Sequence, residues 1–204
     1  MDKKVLAHFK KVDPILYKAS LKVEFPYMQK AEDYFIDLVQ TIINQQLSDK
    51  AADTIYKRFK NLMPKVSPEN VLKIKDEKIR AAGISYSKIK YIKGVAEEIV
   101  SGKLDLKKFD KQTDEIVMEE LVKLNGIGPW SAEMFLMFSL GREDIFSAGD
   151  QGLKNAIKKL YGFKTGPTIQ ETLKLSSRWS PYRTYACRIL WRNLSNPNTN
   201  LTPD

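Results

Sequence analysis

The chain has 204 residues, 43% of them hydrophobic, enough to build the core of one compact unit or two small lobes without covalent staples. Its single cysteine, Cys187, excludes an internal disulfide and cannot alone hold a zinc ion or a four-cysteine iron–sulfur cluster, so a small core role in a reducing compartment is expected. Lysine and arginine total 34 against 25 acidic residues, a formal charge of +9 that favours a polyanionic partner. No stretch approaches the roughly 20 apolar residues needed to cross a bilayer, and Met1-Asp2-Lys3-Lys4 lacks the apolar core of a secretory signal. An intracellular protein of cytoplasm and nucleoid, or of the nucleus in a eukaryote, with no membrane partner, is expected.

Helical periodicity dominates in chain order. His8 has no nearby partner ligands and reads as a surface or helix residue. Phe35, Leu38, Val39, Ile42 and Ile43 recur at the spacing of one helix face, and Ser48 opens a second helix carrying Ala52, Ile55, Tyr56 and Phe59. Ser67-Pro68 is an N-cap followed by proline at the first helical position, starting a short helix through Ile74. Further helices are predicted from about Ser87 to Val100, ended by Gly102, from about Thr113 to Leu124, and from about Trp130 to Leu140. Three more run from Asp150 to Tyr161, ending at Gly162, then from Pro167, and from Pro181 to about Leu194. The weakly patterned stretch Lys103 to Gln112 is the expected hinge between lobes, and the polar tail Asn196 to Asp204 is expected to fray. With no alternating strand pattern and short linkers, the fold class is all-α.

The most informative segment is Leu121-Val-Lys-Leu-Asn-Gly-Ile-Gly-Pro-Trp-Ser-Ala-Glu-Met134. One amphipathic helix stops at Asn125-Gly126 and the next begins at Pro129, so the two must meet in a tight hairpin. Gly126 and Gly128 can take positive φ and present bare amides, and Pro129 suits a first helical turn. Amides at a helix N-terminus form an anion site that a DNA phosphate would fit. Taken alone, L-x-G-x-G-P is more simply an ordinary turn between packed helices. The following helix carries Trp130, Ala132, Met134, Phe135, Leu136, Met137, Phe138 and Leu140, apolar on nearly every side, which predicts burial at the centre of the protein.

Leu124-Asn-Gly-Ile-Gly-Pro-Trp130, followed about twenty residues later by Ile145-Phe-Ser-Ala-Gly-Asp150, resembles the helix-hairpin-helix, Gly/Pro-rich, Asp signature of DNA glycosylases. Ile42-Ile-Asn-Gln-Gln-Leu-Ser-Asp-Lys-Ala-Ala52, Ala82-Gly-Ile-Ser-Tyr-Ser-Lys-Ile-Lys90 and Trp179-Ser-Pro-Tyr-Arg-Thr-Tyr-Ala186 are similar to its alkylpurine branch, the 3-methyladenine DNA glycosylases. The resemblance runs from about residue 30 to 194 in the family's order. It implies two helical lobes with an active-site cleft between them, a central lobe of residues 28–112 and a second of 1–27 plus 113–204, with no room for the extra N-terminal β-rich domain of some bacterial relatives.

By itself, Asp150 reads as an N-cap for amides near Gly152 or Leu153. The resemblance makes it the catalytic carboxylate as well, stabilising positive charge on the sugar as the glycosidic bond breaks and handling the attacking water. A target base must be extruded into a pocket. The resemblance puts Trp130, Trp191, Tyr182 and Met134 around it, where indole faces favour a cationic alkylpurine, although for Tyr182 and its neighbour Tyr185 core packing is the simpler reading. Gly126, Ile127, Gly128 and Ser131 of the hairpin, with Ser87 and Lys88, are its DNA-binding positions. The loop Asn44-Gln45-Gln46-Leu47 would fill the vacated stack, with Gln46 the leading wedge residue, Gln45 and Leu47 beside it, and helix capping the alternative for Gln45. Lys90, Lys154, Arg183 and Arg188 are weaker phosphate candidates.

Strand-nicking relatives carry lysine at the position of Trp130, so a monofunctional enzyme is expected. No cofactor is required, no iron–sulfur cluster can form, and the resemblance allows a Na+ or K+ ion on the backbone carbonyls of Val122, Leu124 and Ile127. The expected partner is double-stranded DNA with damaged bases, bound by a monomer. The alternatives are a glycosylase for another base lesion and a non-catalytic helix-hairpin-helix DNA-binding module.

Overall fold

The computed structural model describes residues 2–23 and 28–195, so the expected fraying of the tail from Asn196 lies outside the described residues. The described elements are helical and contain no strand. In chain order they are α1 (Lys3–Val12), α2 (Pro14–Ser20), α3 (Tyr34–Asn44), α4 (Asp49–Lys60), α5 (Pro68–Lys73), α6 (Asp76–Ala81), α7 (Tyr86–Val100), a 3-10 turn (Leu106–Lys111), α8 (Asp114–Val122), α9 (Pro129–Met134) running into a π turn (Phe135–Ser139), α10 (Gln151–Tyr161), α11 (Ile169–Ser176), a 3-10 turn (Ser177–Trp179) and α12 (Arg183–Ser195). None of these helices is long and apolar enough to cross a membrane.

The chain divides into two compact units: a continuous one, Lys30–Leu140, and a discontinuous one, Met1–Gln29 with Gly141–Asp204. The hairpin, expected to join the C-terminal helices, falls in the continuous unit because α8 packs on α9 and the π turn packs on α3. Lys103 to Gln112 is likewise no hinge: it lies inside that unit, and its 3-10 turn buries Leu106 and Phe109.

Within the continuous unit, α3 buries Phe35, Leu38, Val39, Ile42 and Ile43, the stripe the sequence predicts, and packs against α4, α7 and the π turn. Each fully buried side chain of this kind adds about 1.5–3 kcal/mol of transfer free energy. In the discontinuous unit α12 packs on α10 and α2, and Cys187, Ile189, Leu190 and Ile157 are all buried.

Buried Asp13 ties this second core together. Its Oδ1 accepts the Leu16 N–H (3.0 Å) as the cap of α2, while Oδ2 accepts the Tyr161 hydroxyl (2.7 Å) and the indole N–H of buried Trp179 (2.8 Å). Burial first, then the neighbouring carboxylate, drives the Tyr161 hydroxyl well above the usual phenol range.

Two predicted helix starts move. Pro167 precedes rather than begins α11: Thr168 is its N-cap, in a reciprocal capping box with Glu171. Pro181 does not begin the last helix either. α12 starts at Arg183, because Asp144 Oδ1 accepts the Arg183 N–H (3.1 Å) and the Glu143 carbonyl accepts the Thr184 N–H (2.9 Å).

Candidate functional site

In the hairpin, Gly126 takes φ +88°, and a Cβ built there would run into the ring of Tyr91 from α7. The two demands together admit only glycine. Gly128 departs from expectation: φ is −89°, any residue could adopt it, and a Cβ there meets nothing within 4 Å. Its lack of a side chain leaves space instead of permitting a turn. The side chain of Ile127 is buried and its N–H donates to the Leu124 carbonyl (3.0 Å), so Ile127 anchors the turn and its amide is engaged within it. Ser131 is also buried. No side chain caps the start of α9.

The backbone oxygens of Val122, Leu124 and Ile127 are hard ligands suited to an alkali cation. The Leu124 carbonyl accepts the Ile127 N–H (3.0 Å). Among the described residues no group of three or more His, Cys, Asp or Glu side chains could hold a metal ion.

The loop after α3 is braced on both sides. Gln45 Nε2 donates to the Gly126 carbonyl (2.7 Å) and lies 3.4 Å from Ser131 Oγ, tying the loop to the hairpin. Lys88 Nζ donates to the carbonyls of Ile43 (2.8 Å) and Gln45 (2.7 Å), occupying the C-terminal end of α3. Burial lowers the ammonium's pKa. Gln45 and Lys88, expected on DNA, therefore direct donors into the scaffold, as a half-buried amide and a half-buried ammonium require. Gln46 stands exposed between them at φ +57°, the left-handed region that non-glycine residues avoid, with exposed Leu47 next to it. Ser87 is exposed in the first turn of α7, whose cap is Ser85.

The helix after the hairpin is not buried on every side. Ala132, Phe135, Leu136, Met137 and Leu140 enter the core, but Trp130 is 48% and Phe138 47% exposed, and Met134 is half-buried. These three, spaced by four, line a cavity of about 490 Å³ together with Gln46, Leu47, Asp37, Thr41 and Ser139. Trp130 and Met134 therefore share a cavity with the loop. Asp37 and Ser139 were not among the residues singled out from sequence. An acid in the first turn of a helix reads as a dipole partner, and only the packing of the π turn on α3 reveals the cavity beside it.

In the discontinuous unit Asp150 is the N-cap of α10, as its sequence context implies. Its Oδ1 accepts the Leu153 N–H (2.7 Å) and the indole N–H of Trp191 from α12 (3.0 Å). Gly152 makes this possible: a Cβ there would sit 3.1 Å from Asp150 Oδ1 and 3.3 Å from Trp191 Cδ1 and Nε1. Sequence reasoning missed Gly152 because a glycine at the second helical position carries no local signal; only the indole lying over it explains the residue.

Tyr182 packs edge-on against His8 (5.3 Å) and Tyr185 (6.0 Å), and His8 Nε2 also hydrogen-bonds the Arg178 carbonyl (3.2 Å). Tyr185 donates to Glu143 (2.8 Å), and burial followed by that carboxylate raises its pKa. Arg183, a weak phosphate candidate, is instead committed to Asp144 through a fork of 2.8 and 3.0 Å. Burial of Asp144 opposes its ionisation, but the bonds from Arg183 and Ser180 and the guanidinium charge outweigh it and hold the carboxyl below its usual range.

The fold is shared with known DNA repair proteins. The crystal structure of a DNA-3-methyladenine glycosidase from Bacillus halodurans superposes with a TM-score of 0.84 at 36% identity, covering 96% of this chain and 90% of that one. A Schizosaccharomyces pombe 3-methyladenine DNA glycosylase in complex with abasic DNA gives a TM-score of 0.84 at 30% identity, over 96% and 98% of the two chains. In sequence, the chain is 36% identical over 169 residues to DNA-3-methyladenine glycosylase 1 of S. pombe, covering 81% of this chain and 74% of that protein. Residues 39–181 match the family described as HhH-GPD superfamily base excision DNA repair protein. The chain belongs to the HhH-GPD superfamily of base-excision DNA repair proteins.

Proposed function

We propose that the chain is a monofunctional DNA glycosylase that excises alkylated purines, 3-methyladenine and 7-methylguanine, from double-stranded DNA and leaves an intact abasic strand. The observation that carries this reading is Asp150: its carboxylate is fixed at the start of α10 by Leu153 and by the indole of Trp191. Cleavage of the bond between C1′ and the base nitrogen sends its electron pair to the departing base and leaves positive charge on the sugar. A carboxylate already oriented stabilises that charge more than it stabilises the ground state. Water then adds at C1′, and Asp150 accepts its proton. The likeness to named 3-methyladenine glycosylases, one of them bound to abasic DNA, supports the substrate class and a DNA partner.

The first-turn amides of α9 would hold a phosphate, Gln46 and Leu47 would enter the stack, and the cavity against Trp130, Met134 and Phe138 would receive the extruded base. Trp130 supplies no amine, so a Schiff base, and with it strand scission, is not expected at that position. A Na+ or K+ ion held by the carbonyls of Val122, Leu124 and Ile127 would add positive charge beside the phosphate and no covalent chemistry. The protein would act as a monomer inside the cell.

Wild type and Asp150→Asn are compared on methylated duplex DNA, with abasic sites scored before and after alkali. Release of 3-methyladenine or 7-methylguanine by wild type, and a loss of about 100-fold or more in the variant, is expected. Binding without base release by either protein makes the chain a DNA-binding module. Strand scission before alkali contradicts the monofunctional assignment.

A further inference from the structure

The cavity beside the hairpin has an aromatic and thioether wall of Trp130, Phe138 and Met134, an edge from the loop residues Gln46 and Leu47, and a polar side from α3. Asp37 is the one charged residue among those described as lining it. As an acid in the first turn of α3 it complements the helix dipole, and it is half-buried beside the cavity. Its hydrogen-bond partner is the hydroxyl of buried Ser139, the last residue of the π turn. That hydroxyl holds the carboxyl against the cavity side of α3.

Alkylation at N3 of adenine or N7 of guanine leaves the attached purine with a formal positive charge spread over the ring. An undamaged purine has the same outline and no charge. Aromatic faces favour the cation only modestly, and they accept a neutral purine by stacking as well. A carboxylate in a partly dry pocket separates the two more sharply, because it offers the cation a counter-charge and the neutral ring a desolvation penalty.

We propose that Asp37 is a specificity-determining residue of the cavity, the counter-charge that selects a cationic purine over a neutral one. The inference rests on the glycosylase function proposed for the chain and names the substrate property that this site reads. Burial, and then the nearby charge of Asp33, work against ionisation of Asp37, while Ser139 favours it. A carboxylate so placed gains most from a cation brought against it.

The test separates this role from catalysis. Binding of 7-methylguanosine, a cation, and guanosine is measured by calorimetry with wild type and Asp37→Asn, a substitution that keeps shape and hydrogen bonding and removes charge. Single-turnover excision of 7-methylguanine and of neutral hypoxanthine from matched duplexes is measured alongside. Wild type is expected to prefer the cationic nucleoside by about tenfold, the preference to collapse toward unity in Asp37→Asn, and Asp37→Glu to restore part of it. The ratio of 7-methylguanine to hypoxanthine excision is expected to fall by a similar factor. Equal binding of the two nucleosides by wild type, no binding of either, or a preference retained by Asp37→Asn overturns the assignment. Failure of the glycosylase function itself shows separately, as absence of base release by wild type, and leaves the nucleoside comparison intact.

Discussion

Trp191 donates its indole N–H to the Asp150 oxygen that also accepts the Leu153 N–H, so one carboxylate oxygen joins α10 to α12. The resemblance implies Trp191 as a wall for the base, yet its N–H here binds Asp150. Two substitutions separate those roles. Trp191→Phe keeps an aromatic face and removes the donor, and is expected to slow base release about tenfold with little change in DNA affinity. Gly152→Ala puts a methyl 3.1 Å from the carboxylate oxygen and 3.3 Å from the indole, and is expected to displace Trp191 and reproduce the defect. Single-turnover rates at saturating enzyme decide the matter; unchanged rates in both variants would show that the indole bond is dispensable.

The hairpin glycines are expected to fail differently. Gly126→Ala meets both a positive φ and the Tyr91 ring, and should cost about 2–4 kcal/mol in thermal or urea unfolding. Gly128→Ala meets neither, and should change stability by less than about 1 kcal/mol. If a phosphate docks on the α9 amides, that added methyl stands in its way. Fluorescence anisotropy should then show weaker DNA binding by a protein that melts almost as wild type does.

Gln46 offers a third contrast. Its left-handed backbone costs about 1 kcal/mol that glycine would not, so Gln46→Gly should raise the melting temperature. The same change removes the side chain proposed to occupy the vacated stack. Base release should therefore slow, and slow more in a fully paired duplex than where the lesion faces a mismatch, since a mismatched base is cheaper to extrude.

Acid sensitivity follows from two carboxyls of opposite sign. Asp144 titrates below its unfolded value, so its fork with Arg183 stabilises the fold above about pH 4, and that contribution is lost as pH falls through the lower, folded value. Asp37 is raised, so its ionisation opposes folding as pH rises past the unfolded value. Urea unfolding between pH 3 and 7 should show a smaller acid loss in Arg183→Gln than in wild type. Asp37→Asn should be the more stable protein at pH 7.

What the sequence made legible was periodic or local. The α3 stripe, the caps Ser48, Ser67 and Asp150, and the stop at Gly162, with φ +70°, all depend on neighbours within a few residues. α1 and α6 went unread because they are short or nearly all charged on one side, although Asp13-Pro14 carries a capping signal for α2. The candidate site divides in the same way. Asp150 and the hairpin stand out in one dimension, whereas the destinations of Gln45, Lys88 and Arg183 are partners 39 to 81 residues away. A polar side chain that braces the scaffold has the same composition as one that waits for DNA; the distinction lies in what the fold brings to it. The cavity-lining row Trp130, Met134 and Phe138 was hidden by hydrophobicity, which marks a cavity wall and a core alike.

The bond from Gln45 to the Gly126 carbonyl makes the loop and the hairpin one piece. If, as proposed, one end of this piece grasps the strand and the other enters the helix, it would behave as a caliper with its jaws set. The number of nucleotides between the gripped phosphate and the opened step would then be a dimension of the protein, the same for every lesion. Lengthening the segment between Gln45 and Ser48 by one residue would shift that count without touching Asp150, the acid proposed to perform the chemistry.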